Sequence, residues 1–161
     1  RTFIRQEIVK TIDENFGRPD VIAGVATGGI AQAALVAQEL GLPLVCVRPK
    51  AKGHGKQNQI EGNIETGQSV IVIEDLVSTG NSSLIAVDAL REAGCIVKGM
   101  VAILSYGFDI ARKNFLEHKC PLVTLSDYNA ILDKAIESNY IKSSDLESLQ
   151  TWRENPSEWG Q

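Results

Sequence analysis

The chain has 161 residues, of which 43% are hydrophobic and 22% are charged. This length fits one domain, and the hydrophobic content can fill a core without metals or cross-links. The formal net charge is -4 and the pI is about 5.2, so no overall basic field exists to bind a nucleic-acid backbone or an anionic membrane. We therefore expect a single domain over residues 1–161 that binds any polyanion locally.

The cysteines and the apolar stretches bear on the cellular location of the protein. Cys46, Cys95 and Cys120 lie far apart in or beside apolar runs, which fits neither a metal site nor a disulfide framework. The most apolar stretch, residues 30–47, is interrupted by polar residues and a proline, so it does not predict a membrane span. We expect reduced core thiols in a soluble, cytoplasmic protein. Since the chain begins at Arg1 rather than at methionine, we also expect further sequence upstream.

Predicted helices and strands alternate along the chain. Apolar residues at helical spacing predict a first helix that ends before Gly17. Residues 20–26 form a nearly continuous apolar run, and the next residues predict a tight loop and then an alanine-rich helix up to residue 40. Further strands are predicted at residues 44–47, 69–73, 97–104 and 122–125, and further helices at residues 84–93, at residues 109–119 and in the C-terminal segment.

The predicted strands lack clean apolar–polar alternation, which is typical of strands buried on both faces. Such strands separated by helices favour an α/β fold, namely a doubly wound, mainly parallel sheet with helices on both faces. Residues 48–63 are polar, glycine-rich and basic, and they predict a long mobile loop. Near the C-terminus, Trp152 and Trp159 are expected to hold the tail against the body of the domain.

The most informative segment is residues 70–82, which read VIVIEDLVSTGNS. Its apolar start predicts a buried strand, so Glu74 and Asp75 are expected at the carboxyl end, where open α/β sheets bind ligands. The residues that follow are small and rich in N–H and hydroxyl donors, and they lead into a helix. Unpaired amides and the helix dipole make such a helix start an anion site.

One short segment therefore offers carboxylates for sugar hydroxyls or a hydrated cation, and beside them a cradle for a phosphate. A ribose 5-phosphate satisfies both. The alternative is that residues 78–82 merely cap a helix while the acids are solvated. The segment is not a nucleoside-triphosphatase P-loop, because no Gly-Lys-Ser/Thr closes it, and GxGxxG is absent from the chain.

Two other segments suit the same kind of ligand. Thr27 and Gly28 lie in a glycine-rich turn after the first strand, where the alternative is a ligand-free strand-to-helix turn. Residues 48–55 read RPKAKGHG and concentrate cations on a glycine-flanked loop, which suits a lid that closes over a polyanion. A solvated basic loop is the ordinary alternative for such a run.

The order of residues 70–82 resembles the phosphoribosyl pyrophosphate motif of type I phosphoribosyltransferases. The basic loop is similar to the mobile loop of orotate phosphoribosyltransferases, with Arg48, Lys52 and His54 at the positions of the family's Arg, Lys and His. The resemblance extends to residues 60–62, residues 105–108 (SYGF) and residues 152–160 (WRENPSEWG). It implies that phosphoribosyl pyrophosphate binds to the basic-loop residues and to Glu74, Asp75, Leu76, Val77, Ser78, Thr79, Gly80, Asn81 and Ser82.

The resemblance further implies that Lys52, His54 and Asp75 are catalytic, that Thr27 and Gly28 contact pyrophosphate, and that Ser78 lies near orotate. It implies Mg²⁺ as cofactor, held directly or indirectly through Glu74 and Asp75, and a homodimer with shared active sites. Phosphoribosyl pyrophosphate and orotate are the expected small-molecule substrates. Neither nucleic acid nor membrane is an expected partner.

This chain departs from the family pattern in three places. Pro49 replaces the Lys that often follows the Arg of the mobile loop. In addition, no Arg is close in sequence to Ser105 and Tyr106, where some members have one. The N-terminal hood region that helps the family hold orotate is not within these 161 residues, and we expect it upstream. The alternatives are therefore a purine or xanthine phosphoribosyltransferase and a non-catalytic regulator that senses phosphoribosyl pyrophosphate.

Overall fold

The computed structural model describes residues 1–49 and 59–156, in which a six-stranded sheet is covered by helices. The strands are β1 (Val21–Val25), β2 (Leu44–Val47), β3 (Ile60–Glu61), β4 (Ser69–Val77), β5 (Ile96–Ser105) and β6 (Leu122–Asp127). The helices are α1 (Thr2–Phe16), α2 (Gly28–Leu40), α3 (Asn81–Glu92), α4 (Asp109–Glu117), α5 (Tyr128–Glu137) and α6 (Leu146–Glu154), with a 3-10 turn at Ser143–Asp145.

The strand order is β3-β2-β1-β4-β5-β6, and every neighbouring pair is parallel except β2 with β3. From β1 the chain moves outward to β2 and β3, and it then returns to place β4 on the other side of β1. The carboxyl ends of β1 and β4 therefore flank the point where the winding direction changes. In open α/β sheets this is where ligands bind.

The sheet has a hydrophobic layer on each face, which confirms the predicted doubly wound architecture. Along β4, Ile71 and Ile73 face the layer that contains Ile8 and Ile12 of α1. Val70 and Val72 belong to the opposite layer, with side chains of α3 and α4. Because consecutive strand residues point to opposite faces, both layers need apolar side chains, and this explains the unbroken apolar run in β4.

Two elements differ from the prediction. β4 does not end near Ile73 but continues to Val77, because the long neighbour β5 offers backbone partners as far as Ser105. Within the segment predicted as a long loop, residues 60–61 form β3, which pairs antiparallel with β2. Residues 50–58 of that loop, and Trp159 in the tail, lie outside the described residues, so the predicted mobility of the loop stays a prediction.

The cysteines agree with the expectation of unpaired thiols. Cys46 is half-buried, Cys95 and Cys120 are buried, and all three are free. Burial raises the pKa of each thiol, that of Cys120 to about 11, so these groups are neutral at physiological pH. Within residues 1–49 and 59–156 we find no helix with the length and apolar character needed to cross a lipid bilayer.

Candidate active site

The two acids of β4 lie near its carboxyl end and point to opposite faces of the sheet. Glu74 continues the face of Val70 and Val72 and is only 5% exposed, whereas Asp75 is exposed on the face of Ile73. Strand alternation alone separates them. The acids are thus one residue apart in sequence but meet different helices.

Glu74 lies against the first turn of α3. The Ser83 hydroxyl donates a hydrogen bond to Glu74 Oε2 at 2.8 Å, and the Asp75 amide donates to Oε1 at 3.1 Å. Burial raises the pKa of Glu74 from its ordinary value of 4.5 to about 7, and the neighbouring Asp75 carboxyl adds to the rise against the opposing effect of Ser83. Glu74 is therefore partly protonated near neutral pH.

Asp75 lies over the start of α2, and two glycines make this approach possible. A Cβ at Gly28 would overlap the Asp75 carboxylate, and one at Gly29 would crowd the Ile73 carbonyl oxygen. Asp75 Oδ1 accepts a hydrogen bond from the Leu76 amide at 2.8 Å. The glycine-rich turn predicted after β1 is thus required for the backbone of α2 to approach β4 closely.

The start of α3 presents backbone amides to the same region. Its N-cap is Gly80, in the left-handed conformation at φ 82°, and no side chain of the described residues caps the helix. The first turn of α3 also carries no acidic side chain. Since the first amides of a helix have no intrahelical acceptor, this end of α3 can bind an anion.

α4 holds the loop that precedes α3. Asn114 Nδ2 donates to the Thr79 carbonyl at 2.9 Å and to Asn81 Oδ1 at 3.1 Å. A Cβ at Gly80 would lie 2.7 Å from the Phe115 ring, so only glycine fits there. Sequence reasoning missed Asn114 and Phe115, because no local pattern shows that α4 packs on this loop. It also missed Ser83, although this residue directly continues the donor-rich run.

The acids, the glycine turn and the helix start share one cavity of about 250 Å³. The structure thus brings together the acids and the helix start that the sequence predicts to lie side by side. The cavity is lined by Val25, Ala26, Thr27, Gly28, Pro49, Glu74, Asp75, Leu76, Ser78, Thr79, Gly80, Asn81, Ser82 and Ser83.

A larger cavity of about 900 Å³ lies at the β5–β6 end of the sheet, beside α4. Among the described residues that line it, the one carboxylate is Asp127, which caps α5 by accepting a hydrogen bond from the Ala130 amide at 3.0 Å. The start of α4 borders this cavity, but unlike α3 it carries an acid, Asp109, in its first turn, and the lining has no pair of acids. We therefore place the chemistry in the smaller cavity.

Not every predicted site residue lies in this cavity. Val77 is fully buried in the core and is not one of the residues that line this cavity. Arg48 forms an ion pair with Glu61, with Nε and Nη2 each 2.9 Å from Oε1, at the β2–β3 edge. Lys52 and His54 lie outside the described residues. The assigned roles of Arg48, Lys52 and His54 thus stay predictions.

The raised pKa of Glu74 predicts the pH dependence of stability. Glu74 binds protons more tightly in the folded chain than in the unfolded chain, so its contribution is fully present below pH about 4.5 and is lost as the pH rises through about 7. Glu74→Gln should lie within about 1 kcal/mol of the wild type at pH 5 and exceed it at pH 8 by up to about 3 kcal/mol in free energy of unfolding.

Urea denaturation of the ligand-free protein at both pH values measures this difference. Glu14→Gln, at an exposed position of α1, is the matched control and should follow the wild type at both pH values. An equal change from pH 5 to pH 8 in Glu74→Gln and in the wild type would show that Glu74 does not titrate abnormally.

Comparison with known proteins agrees with this geometry. Residues 3–131 match the phosphoribosyl transferase domain family. An orotate phosphoribosyltransferase of Bacteroides fragilis is 51% identical over 99% of this chain and 75% of its own length, and one of Listeria innocua is 51% identical over 99% and 77%. The crystal structure of orotate phosphoribosyltransferase from Aeropyrum pernix superposes with a TM-score of 0.74, at 31% identity, over 83% of this chain and 74% of that one. The chain therefore belongs to the phosphoribosyl transferase domain family.

Proposed function

We propose that this chain is an orotate phosphoribosyltransferase, which transfers 5-phosphoribosyl from phosphoribosyl pyrophosphate to orotate in pyrimidine biosynthesis. The observation that carries the proposal is the single cavity shared by Glu74, Asp75 and the uncapped start of α3. The names of relatives with about half of their residues identical support orotate as the acceptor.

Each half of the cavity suits one part of the donor substrate. The amides at the start of α3 and the hydroxyls of Ser78, Thr79 and Ser82 would bind the 5-phosphate. Glu74 and Asp75 would accept hydrogen bonds from the ribose hydroxyls. The turn at Thr27 and Gly28 would hold the pyrophosphate, and Ser78 would also lie near orotate.

The reaction breaks the bond between the ribose anomeric carbon and a pyrophosphate oxygen, and it forms a bond from that carbon to N1 of orotate. The products are orotidine 5′-phosphate and pyrophosphate. In the transition state the sugar gains positive character while the leaving group gains negative charge, so preorganised charges on both sides lower the barrier. The carboxylates would favour the cationic sugar.

The charge of the cavity supports a role for the basic loop. No Lys or Arg is among the described residues that line the cavity, although two carboxylates are. A polyanionic substrate there needs compensating positive charge beyond that of the helix start. Lys52 and His54, with Arg48 at the base of the loop, would supply it as the loop closes over pyrophosphate.

Magnesium is the second source of positive charge in the proposal. Within the described part of the chain, no group of three or more His, Cys, Asp and Glu side chains could hold a metal ion. Mg²⁺ is commonly bound through one or two carboxylates together with substrate phosphates, which Glu74, Asp75 and the pyrophosphate would offer together. Glu74 and Asp75 would hold it, directly or through water, and the bound ion would neutralise charge on the leaving group.

The proposal includes a cytoplasmic homodimer in which the basic loop of one subunit closes over the active site of the other. The family resemblance supports the dimer. The cysteines Cys46, Cys95 and Cys120, all unpaired, support a reducing compartment such as the cytoplasm.

The direct test is pyrophosphate release by the intact protein in the presence of magnesium and phosphoribosyl pyrophosphate. We expect release with orotate and none above background with adenine or xanthine. Release with a purine base alone would reassign the enzyme to purine salvage. Binding of phosphoribosyl pyrophosphate without release under any of these conditions would indicate a sensor rather than an enzyme.

Asp75→Asn tests the acid pair. The substitution preserves the shape of the side chain beside Gly28 but removes its charge, so we expect kcat/KM to fall by on the order of 10²-fold. Steady-state kinetics with varied magnesium measure the loss, and Asp13→Asn, at an exposed position of α1, is the matched control. Full activity with unchanged magnesium dependence in Asp75→Asn would contradict the assigned role.

Lys52→Ala tests the basic loop. Because Lys52 would act on charge that develops in the transition state, kcat should fall by about 10²-fold or more, while the Kd of phosphoribosyl pyrophosphate should rise far less. Single-turnover kinetics and equilibrium binding separate the two effects, with the exposed Lys10→Ala variant as control. An unchanged turnover rate would remove Lys52 from the chemistry.

A further inference from the structure

The C-terminal helix α6 is fastened to the loop that follows β5. Arg153 Nε donates a hydrogen bond to the Tyr106 carbonyl at 2.8 Å, and Nη2 donates to the Gly107 carbonyl at 3.1 Å. Gly107 has a φ of 70°, and a Cβ there would lie 2.9 Å from Arg153 Nη2. One guanidinium thus holds two consecutive carbonyl groups of the loop, a bidentate geometry that a single-point donor cannot reproduce.

A cluster of aromatic rings supports the same contact. Trp152 of α6 has its ring centroid 5.3 Å from those of Tyr106 and Tyr128 and 6.2 Å from that of Phe108. The Tyr128 hydroxyl donates to the Leu149 carbonyl of α6 at 3.2 Å. Rings in this range attract one another, so α6 and the loop behave as one packed unit.

This loop is hydrogen-bonded to the end of β4, at a residue that adjoins the lining of the candidate active site. The Tyr106 amide donates to the Val77 carbonyl at 3.1 Å, and Val77 immediately precedes Ser78 of the cavity. The Ser105 hydroxyl accepts a hydrogen bond from the Gly107 amide at 3.0 Å, which closes the loop on itself. If this loop moved, the displacement would pass through Val77 to Ser78, on the β5 side of the cavity.

The reaction chemistry tells which substrate lies on that side. β1 and β5 flank β4 on opposite sides, and the turn after β1 would hold the leaving pyrophosphate. In a displacement at the anomeric carbon, the incoming nitrogen approaches opposite the departing oxygen. The acceptor base would therefore enter from the β5 side, where the loop at residues 105–108 lines the neighbouring larger cavity.

We propose that Arg153 is a positioning residue for the acceptor base. It acts through the carbonyl groups of Tyr106 and Gly107 and holds the loop in the place where the base must dock. This inference rests on the proposed function, and it adds a residue of α6 to the determinants of base binding.

The test uses Arg153→Ala in the intact protein, with both substrates varied. We expect the KM for orotate to rise about tenfold, while kcat and the KM for phosphoribosyl pyrophosphate change by less than about threefold. Arg153→Lys keeps the positive charge but donates from a single nitrogen, so it should give an intermediate KM for orotate. Gln150→Ala, at an exposed position of the same helix, should leave all three constants unchanged.

A purely structural role predicts a different result. It would lower the melting temperature of Arg153→Ala and leave the KM for orotate unchanged, or raise both KM values equally, and either outcome overturns the inference. If Arg153→Ala does not fold, an unchanged KM for orotate in Arg153→Lys overturns it as well. The turnover of orotate by the wild type is measured first. If the wild type turns over orotate, a negative result with the Arg153 variants overturns only the inference about Arg153 and not the proposed function.

Discussion

The active-site edge depends on the pairing of β4 with β1 on one side and β5 on the other. The register with β1 ends at Ile73, and pairing with β5 carries the strand beyond it and fixes the side-chain alternation of the residues that follow. Because the alternation is fixed, Glu74 must point toward α3 and Asp75 toward α2. A shift of one residue in this register would exchange the two acids and bury the one that is exposed. The sheet thus decides which acid meets which helix.

The loop before α3, which would bind the 5-phosphate, keeps its shape through contacts that are distant in sequence. Asn114 holds the Thr79 carbonyl from α4, Phe115 packs against Gly80, and the Tyr106 amide holds the Val77 carbonyl. Small, polar loop residues cannot provide such rigidity by themselves, since they bury little apolar surface. A loop held from two neighbouring elements keeps its amides in position before the ligand arrives, which lowers the entropy lost on binding.

Much of this arrangement could be predicted from the sequence. The unbroken apolar runs between helices identify the doubly wound class, because only strands buried on both faces need them. The order of residues 70–82 locates the acids and the helix start, and the structure brings both into one cavity. The resemblance to orotate phosphoribosyltransferases, recognised in the sequence motifs, agrees with the comparisons. Relatives with that name share about half of their residues with this chain over nearly its whole length.

Other features depend on tertiary contacts that no local pattern reveals. The end of β4 is set by the length of β5, and the partner of Arg48 is set by the antiparallel pairing that brings Glu61 beside it. Arg153 is separated in sequence from Tyr106 by 47 positions and from Gly107 by 46 positions. A basic residue in a short C-terminal helix has many surface roles, and only the fold shows that this one meets two carbonyl groups beside the site.

The charge of the cavity ties these observations together. The protein is acidic overall, with a net charge of -4, and the described lining of the cavity carries two carboxylates and no Lys or Arg. Backbone amides at the start of α3 can bind one phosphate in such surroundings, because a helix start attracts anions without a charged side chain. They cannot also neutralise a pyrophosphate next to Asp75. In the proposed function, the remaining positive charge would arrive with the substrate as a divalent cation, or from the basic loop of residues 48–55. Binding and chemistry would then be separated in this site: the sheet edge would recognise the sugar phosphate, and the charge that assists departure of pyrophosphate would arrive only in the assembled complex.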